Sequence, residues 1–250
     1  MPSPSPPAPA AEGATALAAD AAPLPAWPRP RAVPAVSAHW EAAPLTIGCT
    51  TAHHALLYDY YGFPKFMYEL RYPAPGAPRL ADRVEQLLGG YCETVRKDRG
   101  LDHGAFIPPI HLLPDTDVPV LGISMPATMS GQELYDLGGE LPPLRDEGVC
   151  ILATGNLVHD LRGASWEGDA PPPQHVLDFD AWVERSLTTR DHGALCRWMD
   201  AAPEPLRSHP SAGHYRPLLV AAGAAGDNDV TYPVDGFEHG TISRRSVQFE

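Results

Sequence analysis

Four histidines of the sequence lie in local contexts that suit a reactive site. They are His39, at the end of an apolar run, His103, beside a glycine, His159, shortly after a second apolar run, and His214, in the segment HPSAGHY. Imidazole is the commonest protein metal ligand, and it changes charge nearest to neutral pH. Several histidines at strand ends and in glycine-flanked turns therefore predict a metal centre with an acid–base partner.

The composition limits the class of protein. The chain has 250 residues and a formal net charge of −13, which allows one large domain or two small ones with a full core. The negative charge lies almost wholly after residue 32, which argues against a nucleic-acid surface, where clustered Lys and Arg are expected. No stretch approaches the length of a membrane span, and the N-terminus lacks the basic start and apolar region of a signal peptide.

The cysteine pattern favours a reducing compartment. Cys49, Cys92, Cys150 and Cys196 are far apart and form no CxxC pair. Neither a thiolate zinc site nor a disulfide framework is expected, so the pattern fits the cytoplasm. Cys150 lies within an apolar run and is predicted to be a core residue.

Two regions of different composition follow one another along the chain. Residues 1–31 are dominated by Pro and Ala, and we predict that they are mostly disordered, with at most a short helix over 14–22. Residues 32–250 alternate apolar runs with helical patterns, which predicts a single α/β domain. The predicted strands are 32–38, 118–124, 149–154 and 230–234, with a further edge strand over 243–249.

Helices are predicted between these strands. Residues 78–88 place their leucines and valine on one helical face and are followed by two glycines. Ser130 and Glu133 have the spacing of a capping box at the start of a second helix. Asp178 is predicted to cap a third helix, and Pro217 to lie at the start of a fourth.

The segments between these elements carry a family resemblance. In chain order the segments are PRPRAVPAVSAHWE (28–41), YDYYGFP (58–64), YPAPGAP (72–78), RGLDHGAF (99–106), LRDEGV (144–149), GNLVHDLR (155–162) and HPSAGHYRPLL (209–219). This ordered set resembles the class III extradiol ring-cleavage dioxygenases, and most of all the DOPA-dioxygenase-type branch, from about Pro28 to the C-terminus.

The resemblance implies a fold, a cofactor and a site. It implies an α/β fold with a central, mostly parallel or mixed sheet, and one mononuclear metal per chain, Fe(II) for dioxygen chemistry or Zn(II) as in some members. The implied metal ligands are His39, His159 and His214. His103 resembles the acid–base residue of the family.

The implied chemistry explains these residue types. A few ligands on one side of Fe(II) leave positions open for a catechol and O2, the implied small-molecule partners. A nearby histidine can accept a catechol proton and later return it. The glycines flanking His103 predict a loop that exposes its ring. No nucleic-acid or membrane partner is expected, and the sequence leaves the oligomeric state open.

The chain departs from the family pattern at two places. The family has one more ligand histidine, in an HGSP- or HGAP-like turn after an N-terminal strand, where this chain reads MPSPSPP and has Ser3. Either the start is misplaced or disturbed, or the chain is genuine and has lost a ligand. His53 and His54 are adjacent and therefore not expected to replace it together. The second departure is Pro34, where the family has an aliphatic residue in a strand that should be central. Because proline suits an edge strand, 32–38 is predicted to lie at an exposed edge.

The sequence alone leaves the function and the roles of several residues open. The function is either a ring-cleaving dioxygenase, a catalytically silent homologue that binds metal or aromatic ligands, or a zinc hydrolase that uses metal-bound water. Asp102 and Asn156 either orient a neighbouring imidazole or act as caps. The aromatic residues of 58–63, together with Trp40, either line a substrate pocket or pack. The remaining histidines are predicted to be surface residues: His111, His175, His192, His209 and His239.

Overall fold

The computed structural model describes residues 28–48, 55–167 and 170–250. Most of the segment predicted to be disordered, the short helix over 14–22, and the positions of Ser3, Cys49, His53 and His54 fall outside the described residues. At the start of the described chain, the backbone N–H of Arg31 donates to the carbonyl of Gly148 at 2.8 Å.

A mixed sheet forms the centre of the fold, as predicted. Its five strands run in the order β4-β2-β6-β1-β7, with β1 parallel to both of its neighbours and β2 antiparallel to β6. The strands of the described chain are β1 (Val33–Ala42), β2 (Leu45–Gly48), β3 (Leu56–Leu57), β4 (Thr94–Lys97), β5 (Leu101–Asp102), β6 (Val120–Pro126), β7 (Leu152–Thr154), β8 (Val230–Val234), β9 (Phe237–Glu238), β10 (Ile242–Ser243) and β11 (Ser246–Phe249).

The C-terminal strands stand apart from this sheet. The predicted strand 230–234 is confirmed as β8, and the predicted strand 243–249 is present in part as β11, but these two strands pair with each other as a separate antiparallel ribbon. The central sheet instead contains β2 and β4, which the sequence analysis did not predict. Both are short, and β4 is largely exposed, so neither has the long apolar run that marks a buried strand.

The edge position predicted for Pro34 is wrong, because β1 lies between β6 and β7. The cost of the proline is nevertheless limited by the register. Val33 donates to the carbonyl of Pro119 on the β6 side, so the nitrogen of Pro34, the next residue, faces the β7 side. There a parallel bridge joins Ala32 to Val149, and the regular pairing starts with Ala35 and Leu152, so the missing N–H falls between the bridge and the ladder.

Helices cover the sheet. They are α1 (Pro78–Leu88), α2 (His103–Leu112), α3 (Gly131–Gly139), α4 (Pro142–Asp146), α5 (Gln174–Thr188), α6 (His192–Cys196), α7 (Trp198–Ala201), α8 (Pro205–Ser208) and α9 (Arg216–Ala225), with a 3-10 helix at Lys65–Glu69. The bounds predicted for α1 and the capping box of Ser130 with Glu133 are confirmed. The predicted cap at Asp178 is wrong: α5 begins one turn earlier, after Pro173, and Asp178 accepts from Gln174 within the helix.

The core lies on both faces of the sheet. Alternate residues of β1 belong to different clusters, with Val36 in one and Val33 in the other, as expected for a strand buried on both sides. Cys150 is partly buried against the second cluster. The surface prediction is wrong for two histidines, because His175 is only 4% exposed and His209 only 1%. Among the described residues, no helix is both long and apolar enough to cross a bilayer.

Candidate active site

His39 lies in an irregular stretch of β1. The register with β6 passes from Ser37–Ser124 directly to Glu41–Met125, so residues 38–40 have no partners on that side. Bulges of this kind re-aim side chains near sites, and the backbone N–H of His39 is held by Ser37 Oγ at 3.2 Å. The next residue, Trp40, is buried and packs beneath the guanidinium of Arg99, so it is a packing residue.

His103 is the first residue of α2, so the predicted loop is wrong. Asp102 caps this helix by accepting from the backbone N–H of Ala105 at 3.2 Å, and it pairs with Arg99 at 2.9 Å. Asp102 therefore acts as a cap. The helix escaped sequence analysis because Gly104 and two consecutive prolines inside it read as helix breakers.

His159 and His214 lie on two loops that contact each other. The backbone N–H of Asn156 donates to the carbonyl of His214, and that of His159 donates to the carbonyl of Ser208, both at 3.0 Å. A Cβ at Gly155 would overlap the His214 carbonyl oxygen, so the close approach of the loops requires glycine there. The side chain of Asn156 donates to the Ser243 carbonyl, which makes it a loop-holding residue.

A buried histidine also holds the His159 loop. His209 Nε2 lies 2.8 Å from the carbonyl oxygen of Leu157, so this nitrogen carries the proton and donates. The His209 ring packs against the rings of Phe179, Trp198 and Tyr215. Sequence analysis did not indicate this role, because the Leu157 carbonyl and the Phe179 ring come from distant segments.

The fold brings the four histidines of the sequence analysis together. The ring centroids of His39 and His103 are 3.9 Å apart, and those of His39 and His214 are 4.9 Å apart, edge to face. His159 stacks on His214 with centroids 3.6 Å apart. Four segments that are distant in sequence thus meet in one cluster of imidazoles, which we call the histidine cluster.

A carboxylate that the sequence analysis did not single out joins the histidine cluster. Asp59 Oδ1 lies 2.7 Å from His103 Nδ1, and Asp59 Oδ2 lies 3.5 Å from His39 Nδ1. Burial raises the pKa of Asp59, but hydrogen bonds from the backbone and ring of His103 outweigh it, so the pKa lies below its usual value. The available signal was the position of Asp59 within YDYYGFP.

Burial keeps three rings of the cluster neutral. It lowers the pKa of His214 to about 3, with His159 and His39 lowering it further. Burial is also the largest cause of the lowered pKa of His39 and of His159. A neutral imidazole has one nitrogen with a free lone pair, which is the form that binds a metal.

The residues present fit a metal ion. His214 Nδ1 is buried and has no hydrogen-bond partner in the part of the chain that the structure describes, whereas buried polar atoms are normally satisfied. Ligand atoms of His39, Asp59 and His103 all lie within 4.8 Å of one another. Imidazole and carboxylate donors suit both Fe(II) and Zn(II).

The stacking of His159 on His214 sets a geometric condition. The two ring planes are inclined by only 10°. A metal lies near the plane of each imidazole that binds it, because the nitrogen lone pair lies in that plane. Two nearly parallel, stacked rings therefore bind one ion together only if one ring turns out of the stack.

One aromatic residue near the site contacts the histidine cluster, and the others described here pack elsewhere or are exposed. The Tyr60 ring contacts the His103 ring edge to face at 5.3 Å, with its hydroxyl fixed on the Met67 carbonyl. Tyr58 donates to the Leu70 carbonyl and packs on Phe106. Tyr61 is 91% exposed. Of these aromatic residues, it is Tyr60 that contacts a ring of the histidine cluster.

Arg216, two residues after His214, is committed to structure. Its guanidinium pairs with Glu41 at 3.1 Å and donates to the carbonyls of Pro126 and Met129. It is therefore not free to bind a substrate carboxylate. Arg162, three residues after His159, is exposed.

The fold and the sequence are similar to those of known proteins. The chain is similar to a crystal structure of an uncharacterized protein from Escherichia coli K12, with a TM-score of 0.77 and 34% identity over 89% of this chain and 87% of that one. It is 36% identical to the 4,5-DOPA dioxygenase extradiol of Escherichia coli K12 and 35% identical to that of Beta vulgaris, each over 88% of this chain and 83% of the relative.

A family model described as the catalytic LigB subunit of aromatic ring-opening dioxygenase matches residues 3–250. The chain therefore belongs to the LigB family, and the resemblance found in its sequence is confirmed. It is an oxidoreductase of the aromatic ring-opening dioxygenase class.

Proposed function

We propose that the protein cleaves a catechol-type ring beside, rather than between, its hydroxyl groups, and inserts both atoms of O2 at a single bound metal. The observation that carries this proposal is the meeting of four histidine rings from four separate segments. The names of the relatives make a DOPA-like catechol the first substrate to test.

In this proposal His39, His159 and His214 hold one Fe(II) or Zn(II) per chain. The buried Nδ1 of His214, which has no partner among the described residues, and the lowered pKa of all three rings support the assignment. The stack of His159 on His214 opens when both rings bind. A bound ferrous ion supplies open positions for the catechol oxygens and O2, and it lowers the pKa of the substrate hydroxyls.

His103 is the proposed proton acceptor. Its ring contacts that of His39 and is 28% exposed, so it lies beside the metal position and remains accessible. Its Nδ1 is engaged by Asp59, which leaves Nε2 as the nitrogen that can accept a catechol proton and later return it. The edge of the Tyr60 ring covers one side of this imidazole.

A second ligand set is favoured by a different observation. The ligand atoms of His39, Asp59 and His103 already lie within 4.8 Å of one another. This set resembles the combination of two histidines and one carboxylate that binds non-haem Fe(II). In that arrangement His159 and His214 are the rings left free to exchange protons.

Metal binding separates the two arrangements. The measurement is anaerobic Fe(II) and Zn(II) stoichiometry on the wild type and on single alanine variants of His39, His103, His159 and His214. The first proposal expects about one metal per wild-type chain, lost in all variants except His103→Ala. Loss in His103→Ala with retention in His159→Ala and His214→Ala would establish the second ligand set instead. His111→Ala, an exposed histidine, is the matched control.

Oxygen consumption tests the reaction. Iron-loaded protein is given a panel of catechols that includes DOPA, and oxygen uptake is recorded together with the absorbance of ring-opened product. Uptake matched by product supports the proposal. Bound metal or catechol without uptake on any member of the panel would refute it in favour of a silent binding protein, and ester or amide hydrolysis by the zinc form would favour a hydrolase.

A further inference from the structure

The carboxylate of Asp59 lies between two rings of the histidine cluster and meets both through Nδ1. Asp59 Oδ1 accepts from the backbone N–H of His103 at 3.0 Å and lies 2.7 Å from the Nδ1 of the same residue. One oxygen therefore holds both the backbone and the ring of His103. The other oxygen lies 3.5 Å from His39 Nδ1.

This contact decides where the proton of His103 resides. An ionised carboxylate only accepts hydrogen bonds, so the nitrogen facing it must carry the hydrogen. In a neutral imidazole the other nitrogen then has the free lone pair. Within the described chain, Asp59 provides the one hydrogen bond to the His103 ring.

We propose that Asp59 is a positioning residue that holds His103 in the Nδ1–H tautomer, so that Nε2 is the nitrogen presented to substrate. This inference rests on the proposed role of His103 as proton acceptor. A carboxylate that fixes the tautomer and orientation of a catalytic histidine is a recurrent arrangement, and its loss leaves the ring in place with the wrong nitrogen protonated.

The backbone places Asp59 without help from its carboxylate. Strand β3 pairs with β5 in the register Leu57–Asp102, which puts Asp59 beside the start of α2. Its neighbours are fixed separately, since the hydroxyls of Tyr58 and Tyr60 donate to the carbonyls of Leu70 and Met67. Variants at Asp59 are therefore expected to keep the fold of this segment.

The test is ¹⁵N NMR of imidazole-labelled, metal-free protein at pH 8. Two-bond ¹H–¹⁵N correlations distinguish the two neutral tautomers, and the His103→Gln variant assigns the His103 signal. We expect wild-type His103 to show the Nδ1–H pattern, Asp59→Ala to shift it towards Nε2–H, and Asp136→Asn, an exposed carboxylate on α3, to leave it unchanged. An Nε2–H pattern in the wild type, or no change in Asp59→Ala, would overturn the proposal.

Metal binding and kinetics give a second check. We expect Asp59→Ala to bind metal like the wild type, and to lower kcat by about 10²–10⁴-fold with a much smaller change in KM. Loss of metal in Asp59→Ala would make Asp59 a ligand and overturn the positioning role. The NMR result needs neither metal nor substrate, so it stands whether or not the dioxygenase proposal survives.

Discussion

His209 provides a sharp test of how the fold depends on a neutral buried imidazole. The residue is 1% exposed and its Nε2 donates to the carbonyl of Leu157. The perturbation is His209→Gln, because the glutamine side-chain amide can place an N–H near the position of Nε2 but does not titrate. The variant should therefore keep the hydrogen bond and lose the pH dependence.

The magnitude follows from the pKa of His209. Burial lowers it from 6.5 to about 4, against the opposing effect of the bond to Leu157. Below pH 6.5 the unfolded chain takes up a proton that the folded chain refuses, so stability falls as the pH falls, until the folded pKa is reached. At about 1.4 kcal/mol per pKa unit, this costs about 3 kcal/mol between pH 7.5 and pH 4.

The assay is urea unfolding of metal-free protein at several pH values between 7.5 and 4. The free energy of unfolding of the wild type should fall by about 3 kcal/mol more than that of His209→Gln over this range. The contribution of His214, present in both proteins, cancels in the difference. Equal pH dependence in the two proteins would refute the reasoning, and His111→Gln, at an exposed histidine, should behave as the wild type.

Other substitutions test the packing that surrounds the site by urea unfolding at pH 7.5. Phe179→Ala empties a fully buried position and should cost about 3–5 kcal/mol; a loss typical of surface sites would contradict its core role. Gly223→Ala places a Cβ on the Tyr135 carbonyl and should cost about 1–3 kcal/mol. No loss of stability would show that α9 and α3 can move apart without cost. Asp180→Asn removes one carboxylate partner of Arg245, which keeps its pair with Glu184, and should cost about 1–3 kcal/mol; an unchanged midpoint would argue against a stabilising role of the Asp180 pair.

The sequence alone indicated much of the architecture, for local reasons. Apolar runs such as 118–124 become buried strands because their side chains must leave water. The helix 78–88 and the capping box of Ser130 with Glu133 are set by contacts within a few residues. The four histidines were identified from short motifs, and the order of those motifs along the chain identified the family.

Other features came from contacts between distant segments. The carboxylate of Asp59 meets His103 across 44 residues of sequence, and His209 packs on aromatic rings of two other segments, Phe179 and Trp198. Pro34 is typical of an edge strand, yet it lies in a central strand, where its missing N–H falls between the Ala32–Val149 bridge and the ladder that starts at Ala35.

The division has a physical cause. Hydrophobic runs, caps and turns depend on interactions within a few residues, so the sequence by itself determined the elements with a clear local pattern and the residue types available for chemistry, but not β2, β4 or α2. The bulge at His39, the stack of His159 on His214 and the contact of Asp59 with His103 depend on which segments the packed sheet brings side by side. Only the tertiary structure decided those, because each needs a partner that is close in space and distant along the chain.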